Sequence, residues 1–167
     1  MEWISAERRE ELYAGACASV WKLELRDRYG VDAARRQLSR DEVVASMAPA
    51  VAATRAKVEA GVDLRRIKTI SEPPSAYMRG AYDVASLLVE AGEDIRWLPR
   101  RLASGLLLPG NDMFVLDGKA VMFNVHDGDD NPAGQQWDSD QALVARCREA
   151  FEAAWSVAVP HEEYRAA

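Results

Sequence analysis

The sequence predicts an α/β fold with a mixed sheet, containing a parallel βαβ unit, a β-hairpin and a long C-terminal helix. Three observations carry this expectation. Between Gly61 and Arg100, two short apolar runs at 62–70 and 93–99 flank an amphipathic stretch. Parallel strands need a connection of that length, usually a helix. Runs 113–116 and 120–125 flank Asp117-Gly118, a favoured two-residue hairpin turn. Finally, Leu143, Val144, Cys147, Phe151, Ala154, Trp155 and Ala158 recur at helical spacing before Pro160, as a core-facing helix requires.

The elements follow in order. Ser5 is placed to cap a first helix carrying Leu12, Ala16 and Val20. Trp21, Leu23 and Leu25 then alternate with Lys22, Glu24 and Arg26, the period of a half-buried strand. Residues 27–30 form a turn. Ser39-Arg40-Asp41-Glu42 matches a capping box for a second helical region. Pro49 inside that region predicts a break or kink, and Gly61 a left-handed end. Pro73 and Pro74 stop the next strand. Ser75 caps a helix whose inward face is Met78, Ala81, Tyr82, Ala85, Leu88 and Val89. Residues 100–111 are a loop holding Leu106, Leu107 and Leu108, which must be buried or meet a partner. Both faces of the first hairpin arm are apolar, which puts it inside the sheet. Residues 127–138 are read as a polar loop before the last helix.

Composition bounds the function. The chain has 167 residues, 49% hydrophobic and 29% charged, with a net charge of -6. One domain is expected, with an N-terminal extension over 1–48 and an α/β core over 49–160. The acidic balance and the lack of a basic helix or turn motif argue against direct nucleic-acid binding. Cys17 and Cys147 are expected on apolar helix faces as buried thiols. No apolar run approaches the ~20 residues of a membrane span, and the charged start is unlike a secretory leader. A cytoplasmic protein is expected.

Strong catalytic motifs are missing. Asp127, Asp129, Asn131 and Asp138 fall at calcium-loop spacing, but Pro132 stands where that loop needs glycine. His126 has no serine or cysteine nearby in sequence, and His161 lies beyond the last helix. Zinc and phosphate-loop patterns are absent, so no metal or cofactor is expected. Topology offers a different site, since ligands of open α/β sheets bind beyond the carboxyl ends of parallel strands. Ser71, Glu72, Arg100 and Arg101 end the two strands there, and the helix after Ser75 brings Tyr77 and Arg79. Arg96 and Trp97, near the end of the second strand, would complete a pocket for a small anionic ligand. The competing expectation is an internal network in which Glu72 pairs with an arginine to pin the loops.

The motifs at 26–29, 71–77, 91–100 and 159–164 resemble an uncharacterised actinomycete family whose members often occur beside helix-turn-helix regulators. That resemblance implies such a regulator as a partner. Residues from about 50 to 160 are similar to one half of a phospholipase-D-like domain. Members of that superfamily use a histidine, a lysine two residues later and an aspartate five beyond it. With the aspartate at Asp117, those places hold Gly110 and Asp112. The resemblance therefore implies a half-domain that binds without catalysis. The leading expectation is a ligand-sensing or protein-interaction module in a bacterial regulatory system, with residues 106–108 as a surface for a partner or a second copy. The alternative is a small enzyme acting on an anionic metabolite through the pocket at the strand ends.

Overall fold

The computed structural model describes residues 1–30 and 39–165. Eight strands form one sheet: β1 (Glu2–Ile4), β2 (Ser19–Glu24), β3 (Asp63–Ile70), β4 (Asp94–Pro99), β5 (Asp112–Leu116), β6 (Ala120–His126), β7 (Pro132–Asp138) and β8 (Val159–Pro160). Their order is β1-β7-β6-β5-β2-β3-β4-β8. The pairs β2–β3 and β3–β4 are parallel, and every other pair is antiparallel. The helices are α1 (Ala6–Gly15), α2 (Arg40–Glu59), α3 (Ala76–Glu90) and α4 (Gln141–Val157). A short 3-10 turn, Arg100–Leu102, follows β4.

The crossover β3-α3-β4 is present, with Arg65 opposite Asp94 and Ile70 opposite Pro99. Ser75 caps α3 by accepting from the Met78 N–H. Gly92 ends the turn after α3 at φ +100°, and a Cβ there would lie 2.8 Å from a Val58 methyl. Ser39 and Glu42 form the reciprocal capping box of α2. The hairpin turn places both Asp117 and Gly118 at positive φ. The Asp117 carboxylate also accepts from the Ala18 and Ser19 N–H groups at 2.8 and 2.9 Å, which fixes the start of β2. That aspartate is an anchor between strands.

Side-chain alternation divides the sheet into two packed faces. Leu23, Ile67, Leu98, Met113, Val115, Val121 and Phe123 meet α4 through Val144, Cys147, Phe151 and Ala154. The opposite face lies under α1, α2 and α3 and carries two apolar clusters. One joins Ile70, Ile95 and Trp97 to Met47, Met78, Ala85 and Leu88; the other joins Val20, Leu64, Phe114 and Met122 to Val58, Leu12 and Tyr13.

Several expectations are corrected. Of the break or kink expected at Pro49, the break is absent: α2 runs continuously through it. Proline removes one helical hydrogen bond, and contacts on both sides of it, from Met47 and Val51 to Val58, hold the element together. Residue 48 lies within that helix, and β2 lies between β5 and β3 in the middle of the sheet. The expected polar loop at 127–138 contains β7, which pairs with both β6 and β1. Its glutamines gain their strand geometry from neighbours rather than from apolar alternation. Cys17 is exposed between α1 and β2, and only Cys147 is buried.

His161 is also buried, and it fastens the chain after α4 to the sheet. Its N–H donates to the Ile95 carbonyl at 2.9 Å. Trp97 Nε1–H donates to its Nδ1 at 3.0 Å, so that nitrogen must be unprotonated and the proton sits on Nε2, 3.1 Å from Ser86 Oγ. Tyr82 stacks on the ring at 4.4 Å and donates to the His161 and Tyr164 carbonyls. Burial pushes the imidazole below its ordinary value, against a weaker opposing pull from Glu162.

This packing makes the effect of three substitutions predictable. Gly92→Ala should destabilise the protein by about 1 kcal/mol or more, because of its positive φ and the Val58 contact. Gly80→Ala, with nothing within 4 Å of the new methyl, should stabilise α3 by up to about 1 kcal/mol; urea unfolding of both variants checks the pair. For His161, the unfolded chain takes up a proton near pH ~6.5 while the folded chain resists it. Stability should therefore fall as pH drops through that value towards the folded pKa. His161→Gln should flatten the unfolding free energy between about pH 7 and 5, measured by denaturation at a series of pH values.

Candidate functional site

Between the two apolar clusters on the face beneath α1–α3 runs a belt of polar side chains. In the parallel register Lys22 lies opposite Arg66, and Glu24 opposite Lys68. One residue beyond the Leu23–Met113 pair, Glu24 comes level with Asp112, which is paired with Asn124 on β6. Asn124, Asp112, Glu24 and Lys68 thus form a row across four adjacent strands.

Glu24 is 6% exposed. One of its oxygens meets Lys22 Nζ at 2.6 Å and Arg66 at 3.2 Å; the other meets Lys68 Nζ. Arg66 also forms a two-pronged pair with Glu93, at 2.7 and 3.1 Å. Burial alone would push the Glu24 carboxyl up, but Lys22, Lys68 and Arg66 outweigh it and hold the group well below the usual carboxylate range. Burial draws the Lys22 ammonium down, opposed chiefly by Glu24. Asp112 accepts from the Leu25 N–H at 2.8 Å and from the Tyr29 hydroxyl at 2.6 Å. Burial, with Glu24 and Asp112 nearby, drives the Tyr29 hydroxyl far above its ordinary value, so it stays a donor.

Above this belt lies a cavity of about 740 Å³, within the range of small-molecule sites. Lys22, Glu24, Arg66, Lys68, Asp112 and Asn124 form its floor, and Ala81, Val84, Ala85 and Leu88 of α3 line an apolar wall, with Met47 from α2. Tyr29 and His126 close one end, their rings 5.5 Å apart in an edge contact. Asn124 Oδ1 and His126 Nδ1 are both screened from solvent and have no hydrogen-bond partner among the described residues. The arrangement can bind a molecule that is polar on one side and apolar on the other.

The residues expected to form a pocket at the strand ends are dispersed. Arg100 joins Asp27 and Ser71 at 2.9 and 3.0 Å and also donates to the Leu25 carbonyl. Burial would raise the Asp27 carboxyl, but hydrogen bonds from Ser71 and Arg100 outweigh it and keep the group below its usual range. Glu72 pairs with Arg101 at 2.8 Å and accepts from the Tyr164 hydroxyl at 3.3 Å. Burial, aided by Glu72, pushes that hydroxyl up to about 12. Arg79 turns back to the Pro74 carbonyl. Trp97 has no exposed surface and stacks with Tyr164. Arg96 points to the other face, 4.1 Å over the Trp155 ring. Of the six, Tyr77 lines the large cavity.

The residues that do line it were legible as a pattern but not as a site. The alternation in β2 marks Lys22 and Glu24 as one face, and the same spacing marks Arg66 and Lys68. Alternation alone assigns such a face to solvent. Only the helices packed across it make it a floor.

Comparison with known proteins fits this architecture. The chain is similar in structure to Nuc, a phospholipase D family member from Salmonella typhimurium, with a TM-score of 0.56 and 14% identity over 96% of this chain and 94% of that one. The phospholipase-D-like fold expected over residues from about 50 to 160 is therefore present, and the likeness extends to the N-terminal elements. Among curated proteins no relative matches. The family model described as a domain of unknown function, DUF6879, matches residues 7–166. With nearly the whole chain covered, the protein belongs to the DUF6879 family.

Proposed function

We propose that this protein is a non-catalytic, cytoplasmic ligand-sensing module of a bacterial regulatory system, and that its ligand binds in the cavity between the sheet and α1–α3. The observation carrying this reading is a charged floor, buried at Glu24 and Asp112, facing an apolar helical wall, with two unsatisfied polar atoms on the same lining. A ligand with an anionic group suits the Lys22, Arg66 and Lys68 end. The non-catalytic reading is supported by Asp112, whose carboxylate occupies the place the phospholipase-D-like resemblance gives to a lysine. The regulatory setting, with a helix-turn-helix partner in an actinomycete, is supported by the family resemblance of the sequence motifs.

A second reading, contact with that regulator or with another copy of this chain, is favoured by one residue. Leu106 and Leu108 pack against the core under α4, whereas Leu107 between them is 94% exposed.

Two experiments separate these readings. Melting temperatures measured against a panel of small organic acids and peptides should reveal a saturable stabiliser. Ala81→Trp, which places a large ring on the cavity wall, should abolish its effect while the variant stays folded by circular dichroism. A panel without any stabiliser for the parent protein would count against the cavity. Co-expression with an adjacently encoded helix-turn-helix protein should give a complex that Leu107→Glu weakens by about tenfold, as expected when a charge enters an apolar contact. An unchanged complex would remove the loop from consideration.

A further inference from the structure

We propose that the cavity takes a short linear zwitterion, a di- or tripeptide being the natural example, laid across the strands of the sheet. Its carboxylate lies toward Lys22 and Lys68 and its amino group toward Asp112, Asn124 and His126. This rests on the reading of the cavity as a ligand site and adds the class of ligand.

Unused hydrogen-bonding capacity is arranged by sign. Each ammonium has three N–H donors, and among the described residues Lys22 and Lys68 each make an ion pair only with Glu24. Both oxygens of Glu24 are engaged by cations, so the remaining donors of Lys68, and those of Lys22 not turned to the Phe114 ring 5.2 Å away, call for a further acceptor. At the other end the surplus is of acceptors. The Asp112 oxygens each receive one hydrogen bond and retain lone pairs, Asn124 Oδ1 receives none, and His126 Nδ1 has no partner and is an acceptor in the Nε2–H tautomer.

The sum of charge sharpens the class. Among the described residues the lining cations Lys22, Arg66, Lys68 and Arg9 are balanced by the lining acids Glu24, Asp112 and Glu10 together with Glu93, which lies outside the cavity and pairs with Arg66. A bare anion would leave that balance upset in a half-closed cavity, whereas a ligand that is neutral overall with separated charges preserves it. Length follows from the sheet. From β5 to β3 is two strand spacings, ~10 Å, and from β6 to β3 three, ~14 Å. The reach of the side chains shortens the gap a ligand must bridge. Extended chain covers about 3.5 Å per residue, so two or three residues span the row from Asp112 or Asn124 to Lys68. The small and apolar residues of α3, Ala81, Val84 and Ala85, would cover the peptide side chains.

The test uses the full chain and the tripeptide Ala-Leu-Ala, together with its N-acetyl and C-amide forms, in calorimetric titrations. Saturable binding of the free peptide is expected, weakened about tenfold or more by each cap, as for loss of one partner of a desolvated charge pair. Lys68→Met should erase discrimination against the amide, and Asp112→Asn discrimination against the acetyl form. Because the caps are on the ligand, the comparison among the three peptides holds whether or not either variant folds. Equal affinity for the three peptides, or no binding of the free form at millimolar concentration, overturns the assignment. If another compound binds and Ala81→Trp blocks it, the cavity remains a ligand site and only the peptide class falls. If the free peptide binds equally to Ala81→Trp, it sits elsewhere and the proposal is overturned.

Discussion

A single carboxylate shared by three cations sets the terms for this structure. Glu24 sits on the central strand β2, with Lys22, Arg66 and Lys68 around it and Glu93 bracing Arg66. Glu24 has left water at a substantial cost and the three cations around it in part, and mutual pairing offsets this; leaving the Glu24 carboxylate alone would cost about 3–5 kcal/mol. The register of β2 on β3 is therefore tied to charge as well as to apolar packing. A slip of one residue would turn Lys22 and Glu24 toward α4 and put Trp21 and Leu23 under the other helices.

The same network explains why a cavity can exist beneath α1–α3. The two apolar clusters on that face are separated by the polar belt, so the helices rest on either side of it. Close packing of α3 directly onto the lysines and carboxylates would strip off their remaining hydration, which is unfavourable for charged groups without full partners. The small residues on the facing side of α3 are consistent with a span over the belt. Charge on the floor and apolar surface on the wall then give the site two distinct halves.

Elsewhere, loops are held by polar side chains reaching across strands. Asp117 binds the backbone entering β2, Asp112 the backbone leaving it, and Asp27 joins Ser71 to Arg100. His161 does the same for the segment after α4. These are long-range contacts made by residues that look like ordinary loop or turn positions in the chain. They account for the engagement of Arg100 and Glu72, which topology placed correctly at the strand ends but which are occupied with pinning loops.

Local chemistry in the sequence determined the parallel unit, the caps at Ser5, Ser39 and Ser75, the tight turn at Asp117-Gly118 and the inward stripe of α4. Each depends on residues within a turn or two of one another, so spacing and capping chemistry suffice to read it. Tertiary structure decided the rest. The edge strands β1 and β8 and the inner strand β7 exist through pairing, α2 persists through Pro49 because it is packed on both sides, and Trp97 is covered by a C-terminal segment far along the chain. Above all, alternation could show that Lys22, Glu24, Arg66 and Lys68 share faces, but which face is roofed depends on where distant helices dock. Burial is a property of the assembled layers, and it changes those four residues from a solvated strand surface into the floor of a cavity.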